Sequence, residues 1–99
     1  MMLENRSLEL LQVKHINNLA KKNINCGDYL LYKKITSQEL DVNNSGIFIL
    51  KNNQNLFAYN CHYEPINQKI YIELIDGEIL EISDLSCIVG FVVGMCRKI

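Results

Sequence analysis

The sequence predicts a mostly β fold: a small antiparallel sheet or partial barrel with a short N-terminal helical segment. Three observations carry that expectation. From Tyr29 onward, apolar residues come in short runs rich in β-branched and aromatic side chains. Clusters of Asn, Asp, Ser and Gly separate those runs at short spacing. The segment Lys69-Ile70-Tyr71-Ile72-Glu73-Leu74 alternates with the period of two that leaves one face of a strand for a core.

The elements follow in order. Before Asn23 the pattern is ambiguous. Leu8, Leu11, Ile16 and Leu19 fit a helix face, whereas Leu8, Leu10 and Val13 fit a strand. Asn23, Asn25, Cys26 and Gly27 break whatever precedes them. Tyr29–Tyr32 is the first clear strand, and Asp41–Gly46 is a strong turn cluster. Ile47–Leu50 and Leu56–Tyr59 form a hairpin around Asn52–Asn55, with a loop of about four residues or slightly more. Pro65 and Asn67 close that strand. Lys69–Leu74 and Ile79–Ile82 form a second hairpin around Asp76-Gly77, and Ser83–Ser86 turns the chain into the apolar run Cys87–Met95, read as a buried strand. This makes six strands in one domain spanning residues 1–99.

Composition bounds the function. The chain has 99 residues, 48% of them hydrophobic and 21% charged, with a formal net charge of −1. That balance argues against a nucleic-acid surface, which needs clustered cations to neutralise phosphates. The pairs Lys21-Lys22, Lys33-Lys34 and Arg97-Lys98 read as solvated element ends. No apolar stretch reaches the roughly 18 residues of a membrane-spanning helix. Cys26, Cys61, Cys87 and Cys96 are scattered without a CxxC pair, and no secretory signal is visible, so a cytoplasmic protein with reduced thiols is expected. Cys61-His62 lacks the partner pair of a metal site, and neighbouring residues on a strand point to opposite faces. Neither a metal nor another cofactor is expected. The other cysteines read as small apolar core or strand residues.

Several segments together resemble the C-terminal, self-cleaving domain of LexA, UmuD and phage CI-type repressors. Cys26-Gly27-Asp28-Tyr29-Leu30-Leu31 is similar to the "GD" and apolar strand that follow that family's nucleophile. Ser45-Gly46-Ile47-Phe48-Ile49-Leu50 resembles its next strand, and Leu56-Phe57-Ala58-Tyr59-Asn60 falls where its catalytic lysine strand lies. Ile88-Val89-Gly90-Phe91-Val92-Val93-Gly94-Met95-Cys96-Arg97 is similar to its closing "G-x-V-V-G" strand with a basic end. The match runs from about Leu10 to the C-terminus and implies a LexA- or signal-peptidase-like fold.

The resemblance also implies a lost reaction. In the active family a serine attacks a peptide bond while a desolvated, unprotonated lysine takes its proton. Counting back from Gly27-Asp28 places the nucleophile turn within His15-Ile16-Asn17-Asn18, with Asn17 at the expected position. The lysine position falls on Tyr59 or Asn60. None of these side chains performs either role, so no catalytic residue is expected. Ser7 lacks a glycine turn, and His15 reads as a partly exposed helix or loop residue.

What remains is a binding role. The family implies that the last strand lies near a subunit interface, which makes Val89, Phe91, Val93 and Met95 the interface candidates. The implied partner is a second copy or a related repressor chain, in transcriptional regulation without direct DNA contact, since no helix-turn-helix lies in these residues. A serine peptidase with displaced residues, or an unrelated β adaptor binding a peptide along a strand edge, are the alternatives.

Overall fold

The computed structural model describes residues 8–15, 18–40 and 45–97. Among them, seven strands form one antiparallel sheet: β1 (Leu8–Gln12), β2 (Tyr29–Lys34), β3 (Ser45–Asn52), β4 (Asn55–Glu64), β5 (Lys69–Glu73), β6 (Ile79–Ile82) and β7 (Ile88–Cys96). Their spatial order is β1-β2-β7-β3-β4-β5-β6. The final strand is thus inserted between β2 and β3, while β1 and β6 are the outer strands. No described helix is long and apolar enough to cross a membrane.

The mostly β expectation holds, and the ambiguous N-terminal stretch resolves as a strand. Leu8–Gln12 pairs in register with Tyr29–Lys33. Among the described residues, the N-terminal region holds only a 3-10 turn at Asn18–Lys22 where the sequence predicts a short helical segment. Five residues are too few to repay α-helix nucleation, and tertiary contact fixes the turn instead: Leu19 is fully buried beneath the sheet.

The sheet has a core on each face. Phe48 and Leu50 of β3 face one side with Cys61, Tyr63, Ile70, Ile72 and Ile88. Ile49 faces the other with Val13, Leu19, Ile24, Leu30 and Tyr32. Alternation along β3 therefore serves both cores, which explains why its run is continuously apolar. Each fully buried Leu, Ile or Phe contributes about 1.5–3 kcal/mol of transfer free energy.

Two connections differ from expectation. The β3–β4 loop is shorter than four residues: Asn52 pairs with Asn55, leaving only Asn53 and Gln54 as the turn. Both have left-handed backbones, at φ 50° and 71°. That geometry matches the right-handed twist of the flanking strands. The β5–β6 turn is longer than Asp76-Gly77 alone. Gly77 N–H donates to Leu74 O, Leu74 N–H donates to Glu78 O, and Gly77 takes φ 91°. This is a type I turn followed by a left-handed glycine, the common three-residue hairpin loop.

β7 departs most from a simple buried strand. Leu31 pairs with Gly94 but Tyr32 with Val92, and Ile49 pairs with Gly90 but Leu50 with Ile88. Val93 and Val89 are the residues left over at these two bulges. The first half of β7 is buried or half-buried, while Val93 and Met95 are 52% and 40% exposed. Cys96 is a strand residue, exposed at the end of β7; Cys26 lies exposed in the turn before β2, which corrects its reading as a core or strand residue; Cys87 is half-buried, and Cys61 alone is buried in a core.

Candidate functional site

The site begins with hairpin register. A two-residue turn makes Asn52 and Asn55 a hydrogen-bonded pair, so the N–H and C=O groups of Asn55, Phe57, Tyr59 and Cys61 point at β3. Those of Leu56, Ala58, Asn60 and His62 point the other way. β5 meets β4 only from Cys61 to Glu64. The outward groups of Leu56, Ala58 and Asn60 therefore lie beyond the end of that ladder.

At Asn60 a side chain completes the pairing. Asn18 Oδ1 accepts from Asn60 N–H at 2.9 Å, and Asn18 Nδ2 donates to Asn60 O at 2.7 Å and to Glu73 O at 3.0 Å. Asn60 and Glu73 would be the next cross-strand pair, and the Asn18 amide is wedged between them. Asn18 is only 3% exposed, and both polar atoms of its amide are satisfied. Its role is structural: it stands in for a neighbouring strand.

Leu56 and Ala58 face a groove of about 730 Å³. One wall is Leu10–His15 at the outer edge of β1, and the other is Gln54–Tyr59 at the start of β4. The walls come together where the His15 and Phe57 rings lie 5.7 Å apart. Val13 N–H donates to Asp28 O, so Val13 points its backbone at the β2 side, and Leu10 and Gln12 point theirs outward. Strands alternate in direction through β1-β2-β7-β3-β4, so β1 and β4 run parallel to each other. A strand laid between them would be antiparallel to both.

Of the positions where the resemblance expects the dyad, Asn17 lies outside the described residues. Tyr59 packs against the core formed with Phe48 and Cys61. Asn60 is half-buried and bonded through its backbone. The neighbouring turn residue Asn18 is the one that reaches Asn60, across 42 positions in sequence. Ser7 also lies outside the described residues, and His15 is an exposed loop residue.

A second polar pair lies across the first hairpin. Ser45 and His62 are cross-strand partners, and Ser45 Oγ lies 2.8 Å from His62 Nδ1. A hydroxyl on an imidazole is the first half of a nucleophile–base arrangement. The second half is a group orienting the ring, and no described carboxylate is hydrogen-bonded to His62. Both residues are exposed on an open part of the sheet. Cys61, adjacent to His62, points into the core, where burial pushes its thiol up to about 12. The two face opposite ways, and among the described residues no cluster of three or more His, Cys, Asp or Glu is placed to hold a metal.

The interface candidates do not share a face, because the bulges interrupt alternation between them. Phe91 packs edge-on against Phe48 at 5.4 Å, and Val89 packs against the second core. Met95 is paired with buried Leu30, on the opposite face from Phe91. Exposed Leu8, Leu10 and Tyr29 extend the apolar surface beside Val93 over β1 and β2. Compared with family models, curated proteins and solved structures, the chain matches none.

Proposed function

We propose that the chain is a non-catalytic association domain of the LexA and phage-repressor type, pairing with a second copy or a related repressor chain. The observation that carries this reading is the apolar surface left on one face of β1 and β2, beside the bulge of β7: Leu8, Leu10 and Tyr29 are exposed there, and Val93 is exposed at the bulge. Exposed apolar groups gathered over adjacent strands favour removal from water by a partner. The juxtaposition of Asn18 and Asn60 supports the resemblance, since these belong to the two segments where the family has its nucleophile and base. The groups there are amides, which neither attack a carbonyl nor take a proton at neutral pH. The protein would then act in transcriptional regulation from the cytoplasm by joining chains, with DNA contact left to another domain.

The test is molar mass by sedimentation over a protein concentration series. A concentration-dependent dimer, weakened by Val93→Glu or Leu10→Glu, supports the proposal. A monomer at every concentration that also fails to bind a repressor-type partner overturns it.

The outward backbone of Leu56 and Ala58 favours a second reading, in which the groove holds an extended peptide. Ala58→Pro removes one outward N–H without touching the β3 ladder. It would abolish peptide capture while leaving self-association unchanged.

A further inference from the structure

Among the described residues, β6 is the outer strand at the other end of the sheet. Leu74 N–H donates to Glu78 O across the hairpin, and pairing continues through Ile72 with Leu80 and Ile70 with Ile82. Residues 78, 80 and 82 therefore point their backbone groups at β5. The N–H and C=O of Ile79 and Glu81 point away from the sheet, beyond its last strand. Apolar side chains accompany them: Ile79 is 64% exposed and Ile75 in the adjoining turn is 60% exposed.

This edge has one sign of charge. Glu73, Asp76, Glu78, Glu81 and Asp84 are exposed around it, against Lys69, which is ion-paired with Glu81. Five carboxylates and one lysine leave a formal charge of −4 over residues 69–84. From Ile70 to Cys96 the sequence contains no Lys, Arg or His. Charged side chains on a short edge strand discourage pairing with an identical edge. The same carboxylates select an extended segment of opposite charge, because complementary potentials steer encounter and penalise like-charged partners.

We propose that β6 is a docking edge for an extended basic segment of another protein, one in which Lys or Arg alternates with apolar residues. Such a segment adds an eighth strand. Its backbone bonds to Ile79 and Glu81, its apolar side chains cover Ile79 and Ile75 on one face, and its cations face Glu78 on the other. This edge is separate from the apolar surface of β1, β2 and β7, so the two associations stand or fall independently.

The test is a backbone-amide NMR titration with a synthetic ten-residue peptide alternating lysine and valine, beside a glutamate–valine control. The basic peptide should shift the Ile79 and Glu81 amides and bind about tenfold more weakly at physiological than at low ionic strength. Glu78→Lys should weaken it further. Ile79→Pro removes an outward donor at a position the sheet does not use, and should abolish the amide shifts at Glu81. Unchanged Ile70 and Ile72 resonances then show that the sheet is intact. Equal binding of both peptides overturns the proposal. So do shifts confined to the β1–β4 groove, or shifts at Ile79 and Glu81 produced by raising the concentration of the protein alone.

Discussion

The side-chain amide of Asn18 brackets the backbone of Asn60, accepting from its N–H at 2.9 Å and donating to its carbonyl at 2.7 Å. One side chain thus does at this position what a strand does elsewhere, and it fixes the 3-10 turn to the point where β4 and β5 diverge. Asn18→Ala leaves the Asn60 N–H and two carbonyls without these partners, and should cost about 2–3 kcal/mol in urea unfolding. Asn60→Ala keeps the backbone groups and should cost far less. Equal losses in the two variants would contradict the bracket.

Gly90 is required by close approach. A Cβ there would lie 2.5 Å from the Tyr32 ring and 2.8 Å from the Lys33 carbonyl oxygen. Gly90→Ala should destabilise by about 1–3 kcal/mol as the core repacks around it. At Gly94 the nearest atoms, both of Leu31, are at ordinary contact distance, 3.7 and 3.8 Å. Gly94→Ala should therefore be tolerated, and paired thermal melts distinguish the two.

Cys61 links stability to alkaline pH. Burial raises its folded thiol from 9.0 to about 12, and the proton is donated to the Tyr59 carbonyl. Between those values the unfolded chain loses a proton that the folded chain keeps, so stability falls as pH rises. The contribution is fully present below about pH 9. Wild-type stability minus that of Cys61→Ala should decline across this window. A difference independent of pH would show that the thiol is not desolvated.

The Ser45–His62 contact separates association from hydrolysis. Ser45 should not react with a fluorophosphonate probe above the background of Ser45→Ala, because no described group orients the imidazole. Mass spectrometry of the labelled protein reads the result. Labelling at Ser45 that disappears in His62→Ala would favour the peptidase alternative.

Much of this architecture is legible in residue patterns, and the exceptions have physical causes. Alternation in Lys69–Leu74 identifies its buried face, because Ile70 and Ile72 are both inside a core. The register of the first hairpin pairs Lys51 with Leu56 whether the loop is counted as two residues or four, and continuing the count pairs Ser45 with His62. That contact was available from the sequence. The bulges at Val89 and Val93 were not, since an extra residue leaves no mark in a run where every side chain is apolar. β1 was ambiguous because its alternation covers only five residues, two of them exposed leucines. The role of Asn18 is not legible in the sequence, because a turn asparagine ordinarily bonds its own neighbourhood, whereas this one bonds a strand 42 residues away.

The most direct measurement of association is a dilution series of the backbone-amide spectrum. A domain that pairs through β1, β2 and the β7 bulge should show concentration-dependent shifts at Leu8, Leu10, Tyr29 and Val93, with the buried amides of β5 unmoved. Shifts absent at every concentration, or confined to the β1–β4 groove, would contradict that account.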